Sequence, residues 1–122
     1  MSDERLSFKE MCTKFDVTPR TLRHYEYIEL LTPEKEGRTR LYTPREVARM
    51  ILILRGRRFG FALEDIRQWL MIYENEGTQA QMQMWVDLAD KQLVELDEQK
   101  KQLDETIAEL KQLRDNTKAS IK

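Results

Sequence analysis

The chain has 122 residues, 40% hydrophobic and 35% charged, with a net charge of −1. That suits one small domain with an appended element, and the apolar share builds one modest core, not two. No apolar run approaches the ~20 residues of a membrane span, and MSDERLSFKE lacks a signal-peptide core. The single cysteine, Cys12, cannot form an internal disulfide, so a soluble protein of the reducing cytoplasm is the expectation.

The charge is unevenly placed. Residues 1–60 carry 13 Lys+Arg against 9 Asp+Glu, a balance of +4, and residues 61–122 carry 8 against 13, a balance of −5. An arginine-rich front half points toward a polyanion.

In chain order, Ser7 with Glu10 three positions later is a capping-box pattern. Phe8, Met11, Cys12 and Phe15 follow at helical spacing and predict one buried face. Asp16-Val17 breaks that pattern. Thr18 then caps a second helix whose first position, Pro19, needs no N–H partner. Two short helices with a tight connection are the outline of a helix-turn-helix. LLTPEKEGRTRLYTP predicts a two-stranded hairpin holding Leu31, Thr32, Thr39, Leu41 and Tyr42, with Pro33 near its edge and Glu36-Gly37 near its turn. Thr43, Pro44 and Glu46 repeat the cap, first-turn proline and capping-box glutamate of a helix start. That third helix runs through Val47, Ile51 and Leu54 to end near Gly60. A fourth places Leu63, Ile66, Leu70 and Tyr73 on one face and stops at Asn75-Glu76-Gly77-Thr78.

From Gln79 to Lys122 there is neither proline nor glycine. Leu93, Leu96, Leu103, Ile107 and Leu110 step by three and four, with Val86 in the a series and Met82 and Ala89 in the d series. Such a narrow stripe on a helix of roughly 35 residues needs a partner helix, most simply from a second copy. The fold class expected is therefore mostly α: a winged helix-turn-helix domain over residues 1–77 and a long dimerising coiled-coil helix over 78–122.

The second helix carries the chemistry. Thr18, Arg20, Thr21, Arg23, His24 and Tyr25 fall within its first two turns, and Leu22 points to the core. Arginine forks bind guanine edges or phosphate bidentately, and hydroxyls and a helix N-terminus suit phosphate oxygens. Arg38, Arg40 and Tyr42 in the hairpin extend the set to adjacent phosphates or the minor groove. Enzyme signatures are missing: no G-x-x-x-x-G-K-[ST], H-E-x-x-H or G-x-S-x-G, and one histidine beside one cysteine. Neither a catalytic site, a cofactor nor a metal site is expected. Cys12 reads as an inert core thiol, and Trp69 and Trp85 read as packing rather than a ligand pocket. Met82 and Met84 are too few for a soft-metal site. Lys100 and Arg114 interrupt the a series and suit fixing the register. Asp87, Asp90, Asp97 and Asp104 read as a solvated face.

The motif order VTPRTLRHYEYIELLTP, GRTRLYTPREV, RFGFALEDIRQWL and terminal heptads resembles the MerR family of transcription regulators. The resemblance implies a homodimer paired through an antiparallel coiled coil. It implies DNA contacts at Thr18, Arg20, Thr21, Arg23 and Tyr25 in the helix and at Arg38, Arg40 and Tyr42 in the wing. Its partners are double-stranded DNA at a pseudo-palindromic operator and the RNA polymerase promoter complex, with regulation by DNA distortion. Three positions depart from the pattern. His24 stands where a tyrosine is common, Glu29 where a glycine is common, and the cysteines of metal and redox sensors are missing. Histidine can still donate to phosphate, with a pH-dependent charge. A left-handed Glu29 costs roughly 1–2 kcal/mol, so a rearranged turn is the expectation.

The chain ends directly after the heptads, which leaves a constitutive regulator or one whose small-molecule effector binds at the coiled-coil junction. RTLRHYE, ILRGRRFGFALEDIRQWL and Tyr73 are similar to short, cysteine-poor regulators of branched-chain amino acid and fatty acid breakdown (LiuR-like), which implies an acyl-CoA or related effector. The competing reading is a coiled-coil protein–protein adaptor with a small helical head, in which the basic helix is dispensable.

Overall fold

The computed structural model describes residues 4–75 and 77–122; Glu76, in the expected stop after the fourth helix, lies outside the described residues. The chain divides into two compact units, Met1–Gly77 and Thr78–Lys122.

The first unit opens with β1 (Leu6–Ser7), then α1 (Phe8–Phe15) and α2 (Pro19–Tyr27). Ser7 and Glu10 form the full capping box, with Glu10 N donating to Ser7 Oγ at 3.1 Å and Ser7 N donating to Glu10 Oε1 at 2.9 Å. Those bonds to Ser7 hold the Glu10 carboxyl below the usual carboxylate range. Asp16 ends α1 in the left-handed conformation, φ 52°, which turns the chain sharply into the Thr18 cap. β2 (Glu34–Glu36) and β3 (Thr39–Tyr42) flank a two-residue loop in which Gly37 takes φ +64°. Glycine suits that positive φ without Cβ strain.

The sheet differs from the expected hairpin. It has three strands in the order β1-β3-β2, with Leu6 opposite Tyr42 and Ser7 opposite Leu41. A two-residue strand carries no periodic signal of its own and exists only because β3 offers it an edge. Arg5 beside β1 pairs with Glu34 on β2 at 2.8 Å. Leu31, expected in the hairpin, lies before β2 and is buried with Leu30 in the core.

α3 (Pro44–Phe59) ends at Gly60, which caps it at φ 91°. Val47, Ile51 and Leu54, through which this helix was expected to run, are not among its buried residues. Glu46, Met50, Leu52, Ile53 and Gly56 are buried, and Ile51 is exposed. Nor does Thr43 make a side-chain cap. Glu46 is turned inward instead, 2% exposed, where Oε2 accepts Thr32 N at 3.0 Å and Oε1 accepts Arg45 Nη1 at 2.8 Å. Serving that backbone N–H and the neighbouring guanidinium is what makes the buried carboxylate tolerable. α4 (Leu63–Asn75) buries Ile66 and Leu70, while Tyr73 stays exposed. Its Glu74 accepts from Arg45 at 3.0 Å and Arg49 at 2.7 Å, and Arg49 Nε donates to Leu30 O at 2.8 Å. This network ties α3, α4 and the segment after α2 together.

The second unit is α5 (Gln79–Ala119), 41 residues, or ~60 Å at 1.5 Å per residue. It starts with a capping box of Thr78 and Gln81. In one copy its seam residues Leu93, Leu96, Leu103, Ile107 and Leu110 are all exposed, as are Met82 and Val86. Among the described residues no helix is long and apolar enough to cross a membrane.

Candidate nucleic-acid interface

Thr18 caps α2 by accepting Thr21 N at 3.1 Å and donating its own hydroxyl to Thr21 Oγ1 at 2.9 Å. Thr21 thereby keeps its hydroxyl proton for a further acceptor. Pro19 fills the first helical position, Thr21 N is taken by the Thr18 side chain and Leu22 N by Thr18 O, so the exposed end of α2 presents its dipole and the N–H of Arg20. Around that end Thr18, Arg20, Arg23 and His24 are exposed and Thr21 is half-buried. Arg38, in the loop of the hairpin, is exposed as well. Among the described residues neither Arg20 nor Arg38 forms an ion pair. An uncompensated guanidinium at a helix N-terminus and another at a hairpin tip are each chemically suited to meet a phosphate.

Two expected contacts lie elsewhere. Tyr42 is fully buried, and its hydroxyl donates to Glu26 Oε2 within the domain. It anchors the wing to α2 and does not face solvent. Burial first, and then the bond to Glu26, push its phenol well above the ordinary tyrosine range, so it remains a protonated donor. Tyr25 is 6% exposed and joins Leu22 on the core face of α2. The tyrosine of α2 left in the open is Tyr27, 85% exposed, which the sequence reading did not single out.

Arg40 is placed between the two roles. It is half-buried, and its Nε stands 3.2 Å from Glu26 Oε1 in an ion pair without hydrogen-bond alignment. Its guanidinium carbon also lies 5.6 Å from the centroid of the Phe8 ring, and that of Arg23 lies 5.3 Å from the same centroid. Glu26 and Phe8 thus touch the candidate site residues, a placement that pattern reading missed. Phe8 follows the apolar period of α1, and Glu26 carries no local signal, since its partners arrive 14 and 16 residues later. Cys12 is half-buried, and burial raises its thiol, which fits an inert side chain.

The far end of α2 is held from α4. Glu29 takes φ 63°, so the expected rearrangement does not occur and the left-handed turn is kept with a glutamate in it. Leu30 N and Leu31 N both return to Tyr25 O, at 2.9 and 3.2 Å. Arg67 then donates to the carbonyls of Ile28 and Glu29, which the helix itself leaves open. No sequence spacing announces that contact, since 38 residues separate Arg67 from Glu29.

Two family models match the chain: "MerR HTH family regulatory protein" over residues 6–71 and "MerR, DNA binding" over residues 47–113. The chain belongs to the MerR family. Members of this family are DNA-binding transcriptional regulators, and this chain carries their helix-turn-helix and wing. Among curated MerR relatives, the transcriptional regulator HmrR of Rhizobium leguminosarum bv. viciae is 30% identical over 102 residues, covering 82% of this chain and 77% of HmrR. The transcriptional regulator ZntR of Escherichia coli K12 is 40% identical over 65 residues, which cover 52% of this chain. The match spans only 46% of ZntR's own length. In three dimensions the chain is similar to HiNmlR, a MerR regulator lacking the sensor domain and solved bound to promoter DNA. That likeness has a TM-score of 0.62 at 19% identity, over 83% of this chain and 80% of the other.

Proposed function

We propose that this MerR chain binds a pseudo-palindromic promoter operator as a homodimer and regulates transcription by distorting the DNA between the −35 and −10 elements. The observation that carries the reading is the pairing of two features in one chain. The first is the uncompensated Arg20 at the exposed N-terminus of α2 together with the uncompensated Arg38 at the hairpin tip. The second is an unpartnered seam on α5 from Leu93 to Leu110. The seam in a second copy would supply a second α2, and two such helices read two half-sites related by a dyad. Thr18, Thr21, Arg23 and His24 complete the helix contribution, while Arg40 acts beside Glu26. The promoter-bound HiNmlR, a neighbour in fold, supports the mode. RNA polymerase at the promoter and a small-molecule effector are the partners that this mode of regulation calls for, in the cytoplasm.

Selection from a random-sequence duplex pool with the full chain tests the reading. Enrichment of an inverted repeat, bound by two chains per duplex, is expected. A pool that yields no enriched duplex contradicts the proposal and favours an adaptor.

A further inference from the structure

We infer that Phe8 is a positioning residue that aims the helix arginine Arg23 and the wing arginine Arg40 as one two-guanidinium contact for the DNA backbone. The inference rests on the DNA-binding reading above and adds to it how two separate elements are brought to act together.

Three elements meet at one ring. Phe8 begins α1, Arg23 comes from α2 and Arg40 from β3, with guanidinium carbons 5.3 and 5.6 Å from the ring centroid. A phenyl face is electron-rich, and a guanidinium placed over it is attracted without being neutralised. That distinguishes the ring from a carboxylate partner, which would cancel the charge the DNA must meet. Arg23 remains exposed, and Phe8 is only half-buried although it follows the apolar period of α1. The fully buried residue of α1 is Met11, so the core of that helix does not depend on Phe8 alone.

Two like charges on one ring repel each other, and Glu26 offsets this on one side only. Its Oε1 stands 3.2 Å from Arg40 Nε, and its Oε2 accepts the buried Tyr42 hydroxyl. The cluster of Arg23, Arg40 and Glu26 keeps a charge of one positive unit, directed by a fixed ring and a fixed carboxylate. An arginine otherwise loses much rotamer freedom when it docks on a phosphate. Holding both guanidiniums beforehand lowers that ordering cost and couples the wing to the helix.

The test uses the full chain and the duplex that the wild type enriches from a random-sequence pool, with Phe8→Leu and Phe8→Tyr compared by fluorescence anisotropy. Phe8→Leu keeps apolar bulk and removes the ring face. It is expected to weaken duplex binding about threefold to tenfold, and Phe8→Tyr to restore it. In the background of Arg23→Ala with Arg40→Ala, Phe8→Leu should add no further loss. A packing role alone would lower the melting temperature without this dependence on the two arginines. NMR of the free wild-type protein supplies a second readout: ring-current shifts on the side-chain protons of Arg23 and Arg40, lost in Phe8→Leu. Unshifted arginine signals in the wild type, or equal affinity of a folded Phe8→Leu variant, overturn the inference. A wild type that enriches no duplex instead overturns the DNA-binding reading, and the inference with it. The NMR arm decides on its own should Phe8→Leu fail to fold.

Discussion

Replacing Gly56 with alanine probes how closely α3 and α4 must approach for Arg67 to reach α2. A Cβ at Gly56 would stand 2.7 Å from Ile66 Cγ1 and 2.9 Å from Ile66 Cδ1, with Trp69 Cζ3 at 3.6 Å. Ile66 is fully buried, so its side chain has no open space to retreat into. Two terms oppose each other. Alanine is favoured over glycine in a helix interior by ~1 kcal/mol. Forcing a methyl into a filled core costs ~1–3 kcal/mol. The net expectation for Gly56→Ala is a destabilisation of roughly 0–2 kcal/mol, the difference of those terms. The double-mutant cycle sharpens the sign. Ile66→Ala removes both clashing atoms, so in that background Gly56→Ala should stabilise by ~1 kcal/mol. Urea denaturation of the four proteins measures all the terms. Equal effects of Gly56→Ala in both backgrounds, or a more stable single variant, would refute the close contact.

Three further outcomes follow from the same contacts. Arg67→Ala should destabilise by ~1–2 kcal/mol, since charged donors leave the Ile28 and Glu29 carbonyls. Amide exchange should then rise selectively at Leu30 and Leu31, and uniform exchange would contradict the cap. Glu29→Gly should stabilise by roughly 0.5–1 kcal/mol, the relief of a left-handed glutamate less the greater freedom of unfolded glycine; an unchanged melting temperature would rule out strain at φ 63°. Tyr42 should ionise at higher pH than an ordinary tyrosine in an absorbance titration, as the component lost in Tyr42→Phe. Because its folded value lies above the ordinary 10, the stability it contributes is complete below pH 10 and is lost as pH rises beyond it. Tyr42→Phe should flatten that alkaline loss, and an equally steep loss in the variant would assign it to another group.

Legibility in the sequence follows the range of the interaction. The Ser7 and Thr18 caps depend on residues three positions apart, and both form as their spacing predicts. Helix α5 shows its length because nothing in the stretch interrupts it. Contacts between distant segments were hidden. β1 exists through pairing with Leu41 and Tyr42, and Glu46 abandons a local cap for Thr32 N, 14 residues back. The buried face of α3 was not legible because apolar residues lie on more than one side of it, so periodicity does not choose between Ile51 and Ile53. At the interface, residue type identified Arg20, Arg23 and Arg38 as surface cations. The same reasoning misassigned Tyr42, because a tyrosine hydroxyl serves a buried carboxylate as readily as a phosphate. Only Glu26, placed by the fold, decides between them.

The central claim is that the exposed arginines of α2 and the wing meet a nucleic-acid backbone. It is tested most directly by anisotropy of a labelled duplex, enriched by the wild type, across a salt series. Log affinity should fall linearly with log salt, and Arg38→Ala should reduce that slope by about 1 while weakening all sequences alike. An affinity that does not change with salt, or an Arg38→Ala slope equal to the wild type's, would contradict the account.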